Sequence, residues 1–207
     1  MIRINKKTEP IEWTKKKLTP NFTKYSSIPE LRDALLEEQG FICAYCMRSI
    51  PVKDFNEAET SKIEHIKSRS DLPDLQLDYN NMIICCPGSI NGSSHCDKSK
   101  GHRSLSFSLF DISVQSSIVY GTKDGKIKSA NATIDDEISS LLSLNNAMLK
   151  ANRKETLSGI LTILEKKKWK KAQIELKLVE WNKKENQRLK PYCGVVIWYL
   201  EKKLRQY

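Results

Sequence analysis

The chain has 207 residues and a formal net charge of +10, with 39% hydrophobic and 29% charged residues. This composition is typical of a small folded protein of one or two domains, and it excludes a fibre or a disordered tail. The sequence contains no run of about eighteen apolar residues and no apolar signal region after Met1. We therefore expect a cytoplasmic protein.

The positive charge is concentrated near the C-terminus. Residues 1–149 carry 19 basic and 19 acidic side chains, whereas residues 150–207 carry 16 and 6. A concentrated positive field suits a nucleic-acid backbone, because each neutralised phosphate releases counterions. A solvated face of lysine-rich helices explains the same pattern, so charge alone leaves both interpretations open.

The first 26 residues contain prolines, lysines and isolated aromatic residues without a sustained period. They predict an extended arm that lies on another surface. Ser27-Ile28-Pro29-Glu30 has the form of a capping box, and apolar residues at helical spacing follow it up to Gly40. The pattern predicts a helix over about 28–39.

Short β-rich runs predict strands at 61–66 and 82–85, and the segment 121–127 predicts a hairpin turn between two further strands. From about residue 135 onward, apolar residues recur at i, i+3 and i+4. This period predicts a mostly helical C-terminal region, so the expected fold class is α+β.

Five of the six cysteines and all three histidines lie within residues 41–103. In a reducing compartment, cysteines at these spacings favour metal binding over disulfides. Cys43 and Cys46 form one pair, and Cys96 with either Cys85 or Cys86 forms a second. Two such pairs provide the four thiolates of a tetrahedral structural zinc. Neighbouring strand residues face opposite sides, so one of Cys85 and Cys86 is the ligand, and we predict Cys86.

Three further sites have residue types suited to hydrolysis. Glu64 and His65 lie together at the end of the first predicted strand, Asn81 precedes the second strand, and Asp97 follows Cys96. Carboxylates hold a divalent cation, and an imidazole takes a proton from water near neutral pH. Taken singly, each residue also has a structural explanation: a packed histidine, a turn asparagine or a helix cap.

In this order, the residues resemble the HNH endonuclease family. Its pattern is C-x2-C, then an acidic residue and His, then Asn before a second strand, then C-x2-C-[His/Asn]-x2-Lys. The corresponding segments here are Cys43-x2-Cys46, Glu64-His65, Asn81 to Cys86, and Cys96-Asp97-x2-Lys100. Two features depart from the pattern: residues 87–95 separate the second cysteine pair, and Asp97 replaces the usual His or Asn.

The resemblance implies a small zinc-stabilised ββα-metal (HNH) domain. Structural Zn²⁺ would be held by Cys43, Cys46, Cys86 and Cys96. His65 would be the general base, Asn81 would orient its loop, and Glu64 and Asp97 would hold a catalytic Mg²⁺ or Mn²⁺. The expected phosphate contacts are Lys98, Lys100 and Arg103, while His95 and His102 are alternative ligands or bystanders.

A narrower resemblance, carried by residues 1–4, 37–46, 63–69 and 95–101, is to the PtuB-type HNH subunit of Septu and retron-associated anti-phage systems. It implies an effector nuclease that works with an ABC/SMC-like (PtuA-like) ATPase on DNA, or on structured RNA such as tRNA. The predicted organisation is an arm (1–26), an HNH domain with a leading helix (27–110) and a helical basic region (111–207).

The alternative function is a non-catalytic zinc module that binds nucleic acid or protein through its cysteine knuckles and basic helices. Such a module would need the cysteines but not Glu64, His65 and Asp97, so their joint occurrence favours the enzyme. A zinc-dependent base deaminase is excluded because the sequence lacks the H-x-E and P-C-x2-C motifs.

Overall fold

Eight α-helices and three antiparallel strand pairs make up the fold over residues 1–52, 60–90 and 92–207, which the computed structural model describes. The helices are α1 (Ile11–Lys17), α2 (Pro29–Gln39), α3 (Cys96–Lys100), α4 (Ile112–Ser117), α5 (Ala132–Asp136), α6 (Ala147–Lys166), α7 (Lys171–Asn182) and α8 (Cys193–Leu204). The strands are β1 (Lys62–His65), β2 (Met82–Cys85), β3 (Ser89–Ile90), β4 (Ser93–Ser94), β5 (Ile118–Tyr120) and β6 (Ile127–Ser129). The predicted α+β class is confirmed. Within these described ranges, no helix is long and apolar enough to cross a bilayer.

Helix α2 confirms the predicted helix, but the predicted capping box is wrong. The N-cap residue is Ile28, which provides no side-chain cap, and Pro29 opens the helix. Proline is suited to the first helical position because its missing N–H would have no partner there, and this places Ser27 outside the cap. Gly40 ends α2 with φ +66°, and a Cβ at this position would lie 2.7 Å from Leu189 Cγ.

The N-terminal segment 1–26 is not an extended arm throughout, because it contains α1 and packs on its own chain. Trp13 of α1 is fully buried, and Met1 and Ile4 are also buried in the hydrophobic core. The Ile4 N–H donates to the Leu109 carbonyl oxygen at 2.9 Å. The surface on which this segment lies is therefore provided by the same polypeptide.

Strands β1 and β2 form the antiparallel pair that positions the predicted site. In their register Lys62 faces Cys85 and His65 faces Met82. Every residue of β2 is buried, as expected for a continuous apolar run, whereas β1 becomes buried only at its last two residues. Both predicted strands are confirmed, as is the hairpin of β5 and β6.

The helical C-terminal half, also confirmed, packs against the cysteine-containing region. The N–H of Tyr192 donates to the carbonyl oxygen of Met47 at 2.8 Å, and the N–H of Cys96 donates to that of Leu142 at 2.9 Å. Gly194 of α8 packs so closely on Met47 that a Cβ would lie 2.6 Å from the Met47 sulfur. The helices thus form part of the scaffold of the cysteine site.

Candidate metal centre and active site

Four buried cysteine side chains converge at one point. Cys43 and Cys46 lie in a turn closed by a bridge between Ile42 and Ser49, Cys86 follows β2, and Cys96 opens α3. Their Sγ atoms all lie within 4.8 Å of one another, and the Cys43–Cys96 and Cys46–Cys86 sulfur distances are both 3.8 Å. A tetrahedral zinc with Zn–S bonds of about 2.3 Å separates its sulfurs by about 3.8 Å, so these four residues fit a zinc ion.

The charges at the cluster also suit a cation. Burial raises the thiol pKa of Cys46 and Cys96 above its usual value. The thiol pKa of Cys86 is lowered by its hydrogen bonding with the neighbouring thiols of Cys43, Cys46 and Cys96. Four neighbouring thiols cannot all ionise in a buried site without a countercharge, and a bound divalent metal provides one.

The structure brings Cys86, and not its neighbour Cys85, into the cluster. Cys85 is buried on the other side of the strand, where its sulfur lies 3.7 Å from the Lys62 carbonyl oxygen. His95 is fully buried beside the cluster, with Nδ1 3.1 Å from Cys96 Sγ and 3.9 Å from Cys86 Sγ. Four thiolates already complete a tetrahedron, so His95 is placed to donate a hydrogen bond to the sulfurs.

A second polar cluster lies where β1 meets α3. An open cavity of about 520 Å³ is lined by Glu64 and His65 of β1 and by Asp97, Lys98 and Lys100 of α3. The Glu64 side chain is only 9% exposed and forms an ion pair with Lys100. This cavity brings together residues that are more than thirty positions apart in the sequence.

The pKa of Glu64 is set by its burial and by its two charged neighbours, Lys100 and Asp97. Burial raises the pKa of Glu64 to about 8, the ammonium of Lys100 opposes this rise, and a hydrogen bond with the Asp97 carboxyl adds to it. Glu64 Oε1 is buried, and its charged partner is the Lys100 ammonium. Two adjacent carboxyl groups provide the oxygen ligands that a hard divalent cation such as Mg²⁺ or Mn²⁺ prefers.

His65 lies at the end of β1 with a defined ring orientation. Its Nε2 is 3.0 Å from the Gln76 carbonyl oxygen, which can only accept, so the Nε2–H tautomer is present and Nδ1 keeps its lone pair. Burial lowers the pKa of His65 to about 4, although the hydrogen bond to Gln76 acts in the opposite direction. The imidazole is therefore neutral near pH 7, as a proton acceptor must be.

Asn81 fixes the loop that follows His65. Its Oδ1 accepts from the Lys67 N–H at 2.8 Å, and its Nδ2 donates to the carbonyl oxygens of Lys67 and Leu75 at 3.0 and 3.2 Å. Asn81 is thus a bridge between two backbone segments and does not line the cavity. Its arrangement suits the orienting role that the resemblance implies.

Of the three expected phosphate contacts, only Lys98 is an exposed side chain at the cavity. The prediction that Lys100 contacts phosphate is wrong. Its side chain is 2% exposed, contacts Glu64 and donates to the His65 carbonyl oxygen at 2.9 Å. Arg103 donates to the carbonyl oxygens of Lys100 and Ser99 at the end of α3. Arg69 is exposed and lines the cavity but is not among the predicted phosphate contacts, although its position just after β1 in the sequence indicates one.

A scan against protein-family models and a search of curated proteins each found no match to this chain.

Proposed function

We propose that the chain is a metal-dependent endonuclease of the HNH type that hydrolyses phosphodiester bonds in nucleic acid. One observation carries the proposal: Glu64, His65 and Asp97 line one open cavity beside a four-cysteine cluster that fits zinc. The antiparallel pair β1–β2 and the short helix α3 provide these residues in the order that the ββα-metal resemblance implies.

The residues divide into base, cation ligands and phosphate contacts. His65 Nδ1 accepts a proton from the attacking water, and its Nε2–H bond to Gln76 holds the ring for this step. Glu64 and Asp97 would hold the divalent cation. When bound, a Mg²⁺ or Mn²⁺ ion neutralises charge on the scissile phosphate and on the leaving oxygen. Lys98 and Arg69 are exposed at the cavity and suit phosphate binding.

The alternative, a zinc module that only binds, explains the cysteine cluster but not the second cluster. Burying Glu64 costs free energy, and the Asp97 carboxylate further disfavours ionisation of Glu64 while Lys100 partly offsets this effect. A cation-dependent enzyme uses two such adjacent carboxyl groups as metal ligands, whereas a binding module has no use for them.

On the basis of the narrower resemblance, we propose that the partner of this chain is an ABC/SMC-like ATPase in an anti-phage complex. The apolar side chains Met1, Ile4 and Trp13 are buried in the chain's own core, so they are not available to the ATPase. We therefore expect the ATPase to contact other surfaces. Co-expression of the two full-length chains and co-purification test this, and a chain that elutes alone would contradict it.

Cleavage is tested with purified, zinc-loaded protein in Mg²⁺ or Mn²⁺, alone and with the ATPase, on DNA and on total RNA. We expect His65→Ala to keep its zinc and lose cleavage by about a hundredfold to ten-thousandfold. Asp97→Ala should be folded and inactive, with partial recovery at high Mn²⁺. His102→Ala is the control, because His102 is an exposed histidine at the rim of the same cavity.

Two results would contradict the proposal. Unchanged activity of His65→Ala would remove the imidazole from the reaction. Absence of cleavage by the wild-type protein on every substrate, with and without the ATPase, would favour the binding module.

A further inference from the structure

The N-terminal segment of the chain reaches the imidazole that we propose as the general base. The rings of Tyr25 and His65 are 4.7 Å apart between centroids and are nearly perpendicular, with an interplanar angle of 88°. This is an edge-to-face contact between residues forty positions apart in the sequence. A single hydrogen bond on Nε2 would still allow the imidazole ring to rotate, and the contact with Tyr25 restricts this rotation.

Gln76 joins the same segment to His65 by three hydrogen bonds. Its side-chain Oε1 accepts from the Tyr25 N–H at 3.1 Å, and its Nε2 donates to the Thr23 carbonyl oxygen at 3.2 Å. Its own carbonyl oxygen accepts from His65 Nε2 at 3.0 Å. One residue thus ties the backbone of residues 23–25 to the ring nitrogen that sets the tautomer.

Helix α1 anchors this arrangement from behind. Trp13 is fully buried, and its Nε1 donates to the Leu77 carbonyl oxygen at 3.2 Å, one residue after Gln76. The Trp13 ring also makes edge contacts with Phe22 at 5.8 Å and with Tyr25 at 6.0 Å. The segment from Trp13 to Tyr25 is therefore held in place by its aromatic contacts and by its hydrogen bonds to residues 76 and 77.

We propose that Tyr25 and Gln76 are positioning residues for His65, and that the N-terminal segment is a structural part of the active site. This inference rests on the proposed function of His65. Its physical basis is that a misplacement of a reacting group by about 1 Å costs on the order of a hundredfold in rate. It also follows that deleting residues 1–26 would disable the base directly, whether or not a partner is bound.

The test compares Tyr25→Leu, which removes the ring, with Tyr25→Phe, which keeps it. Leu18→Ser is the matched control, because Leu18 lies in the same segment and is 79% exposed. The first measurement is the His65 tautomer by ¹⁵N NMR on zinc-loaded protein without nucleic acid. We expect the Nε2–H tautomer to dominate in wild type, Tyr25→Phe and Leu18→Ser, and to become mixed in Tyr25→Leu.

The second measurement separates kcat from KM for cleavage. In Tyr25→Leu we expect kcat to fall about tenfold, because an edge-to-face aromatic contact contributes roughly that factor to ring placement, while KM stays within about twofold. Tyr25→Phe should restore the wild-type kcat. If Tyr25 had a purely structural role, Tyr25→Leu would instead lower the zinc content or the melting temperature together with kcat.

Gln76→Leu provides an independent variant in case Tyr25→Leu fails to fold. It removes the hydrogen bonds to Tyr25 and Thr23 at similar volume, whereas Gln76→Glu keeps the acceptor for the Tyr25 N–H. We expect the same mixed tautomer in Gln76→Leu and less mixing in Gln76→Glu.

The proposal is overturned if folded Tyr25→Leu or Gln76→Leu keeps the wild-type tautomer and kcat, or if Tyr25→Phe is as damaged as Tyr25→Leu. The tautomer is measured without substrate, so it decides the positioning role even if the chain cleaves nothing. Loss of cleavage in the wild type would therefore refute the proposed function separately.

Discussion

Replacing Lys100 by methionine tests the arrangement of charges at the cavity. The Lys100 side chain is 2% exposed and the Glu64 side chain 9%, so Lys100→Met leaves a buried carboxyl without its countercharge. Removing one partner of a buried ion pair typically costs about 3–5 kcal/mol of unfolding free energy. The hydrogen bond from the Lys100 ammonium to the His65 carbonyl oxygen is lost as well, at about 1.5–3 kcal/mol.

The cost depends on pH in a defined direction. Burial raises the pKa of Glu64 to about 8, so at about pH 6 this carboxyl is protonated and needs no countercharge. We therefore expect Lys100→Met to lower the free energy of unfolding at about pH 6 only by the value of the lost hydrogen bond. At about pH 9 it should lower it by the values of the hydrogen bond and the ion pair together. Added Mn²⁺ should recover part of the loss at the higher pH, because it supplies positive charge to Glu64 and Asp97.

The assay is urea unfolding of zinc-loaded protein in a double-mutant cycle with Glu64→Gln. Lys98→Met is the matched control: Lys98 lies on the same helix with an exposed side chain, so its loss should cost less than about 0.5 kcal/mol. An equal loss from Lys100→Met in the wild-type and Glu64→Gln backgrounds would refute the reasoning, as would a loss that does not change with pH.

Three further predictions concern the metal, the carboxyl and the basic helices. Cys46→Ser should lose bound zinc and cooperative unfolding together, whereas Cys193→Ser, a buried cysteine outside the cluster, should keep one zinc per chain by elemental analysis. The raised pKa of Glu64 means that folding favours its protonated form, so the free energy of unfolding should fall as the pH rises from about 4.5 to about 8. Glu64→Gln should flatten this slope, and a persistent slope would assign it to other groups. Reversing the charge of the lysines in 166–171 should weaken nucleic-acid binding and reduce its salt dependence in fluorescence anisotropy. An unchanged salt slope would mean that these lysines form only a solvated face.

The aromatic contact at His65 changes how a truncation experiment is interpreted. Removing residues 1–26 takes away Trp13, Tyr25 and the hydrogen bonds to Gln76 in one step. Lost activity in such a truncation would follow from a displaced base as readily as from a lost partner. Point substitutions on exposed surfaces are therefore the cleaner probe of the ATPase contact.

Local pattern alone predicted most of the secondary structure. The helix ending at Gly40, the strands β1 and β2, the β5–β6 hairpin and the C-terminal helices each follow from periodicity or turn chemistry within a few residues. The sequence also indicated that only one of Cys85 and Cys86 is a ligand, because successive residues of a strand face opposite sides, and the tertiary structure places Cys86 in the cluster as predicted. The residue types and their order in the sequence also predicted Glu64, His65 and Asp97 as active-site residues.

Tertiary structure decided the environment of those candidates. Lys100 lies in a short polar run whose other lysine, Lys98, is exposed, so its burial against Glu64 follows only from the packing of α3 on β1. Tyr25 and Gln76 reach His65 through contacts between segments about 10 to 50 residues apart, which no local period encodes. The aromatic residues of 1–26 have no repeating pattern because they pack on one another and on separate segments: Trp13 contacts Phe22 and Tyr25, and Tyr25 contacts His65. Such scattered contacts follow neither the 3.6-residue period of a helix nor the two-residue period of a strand.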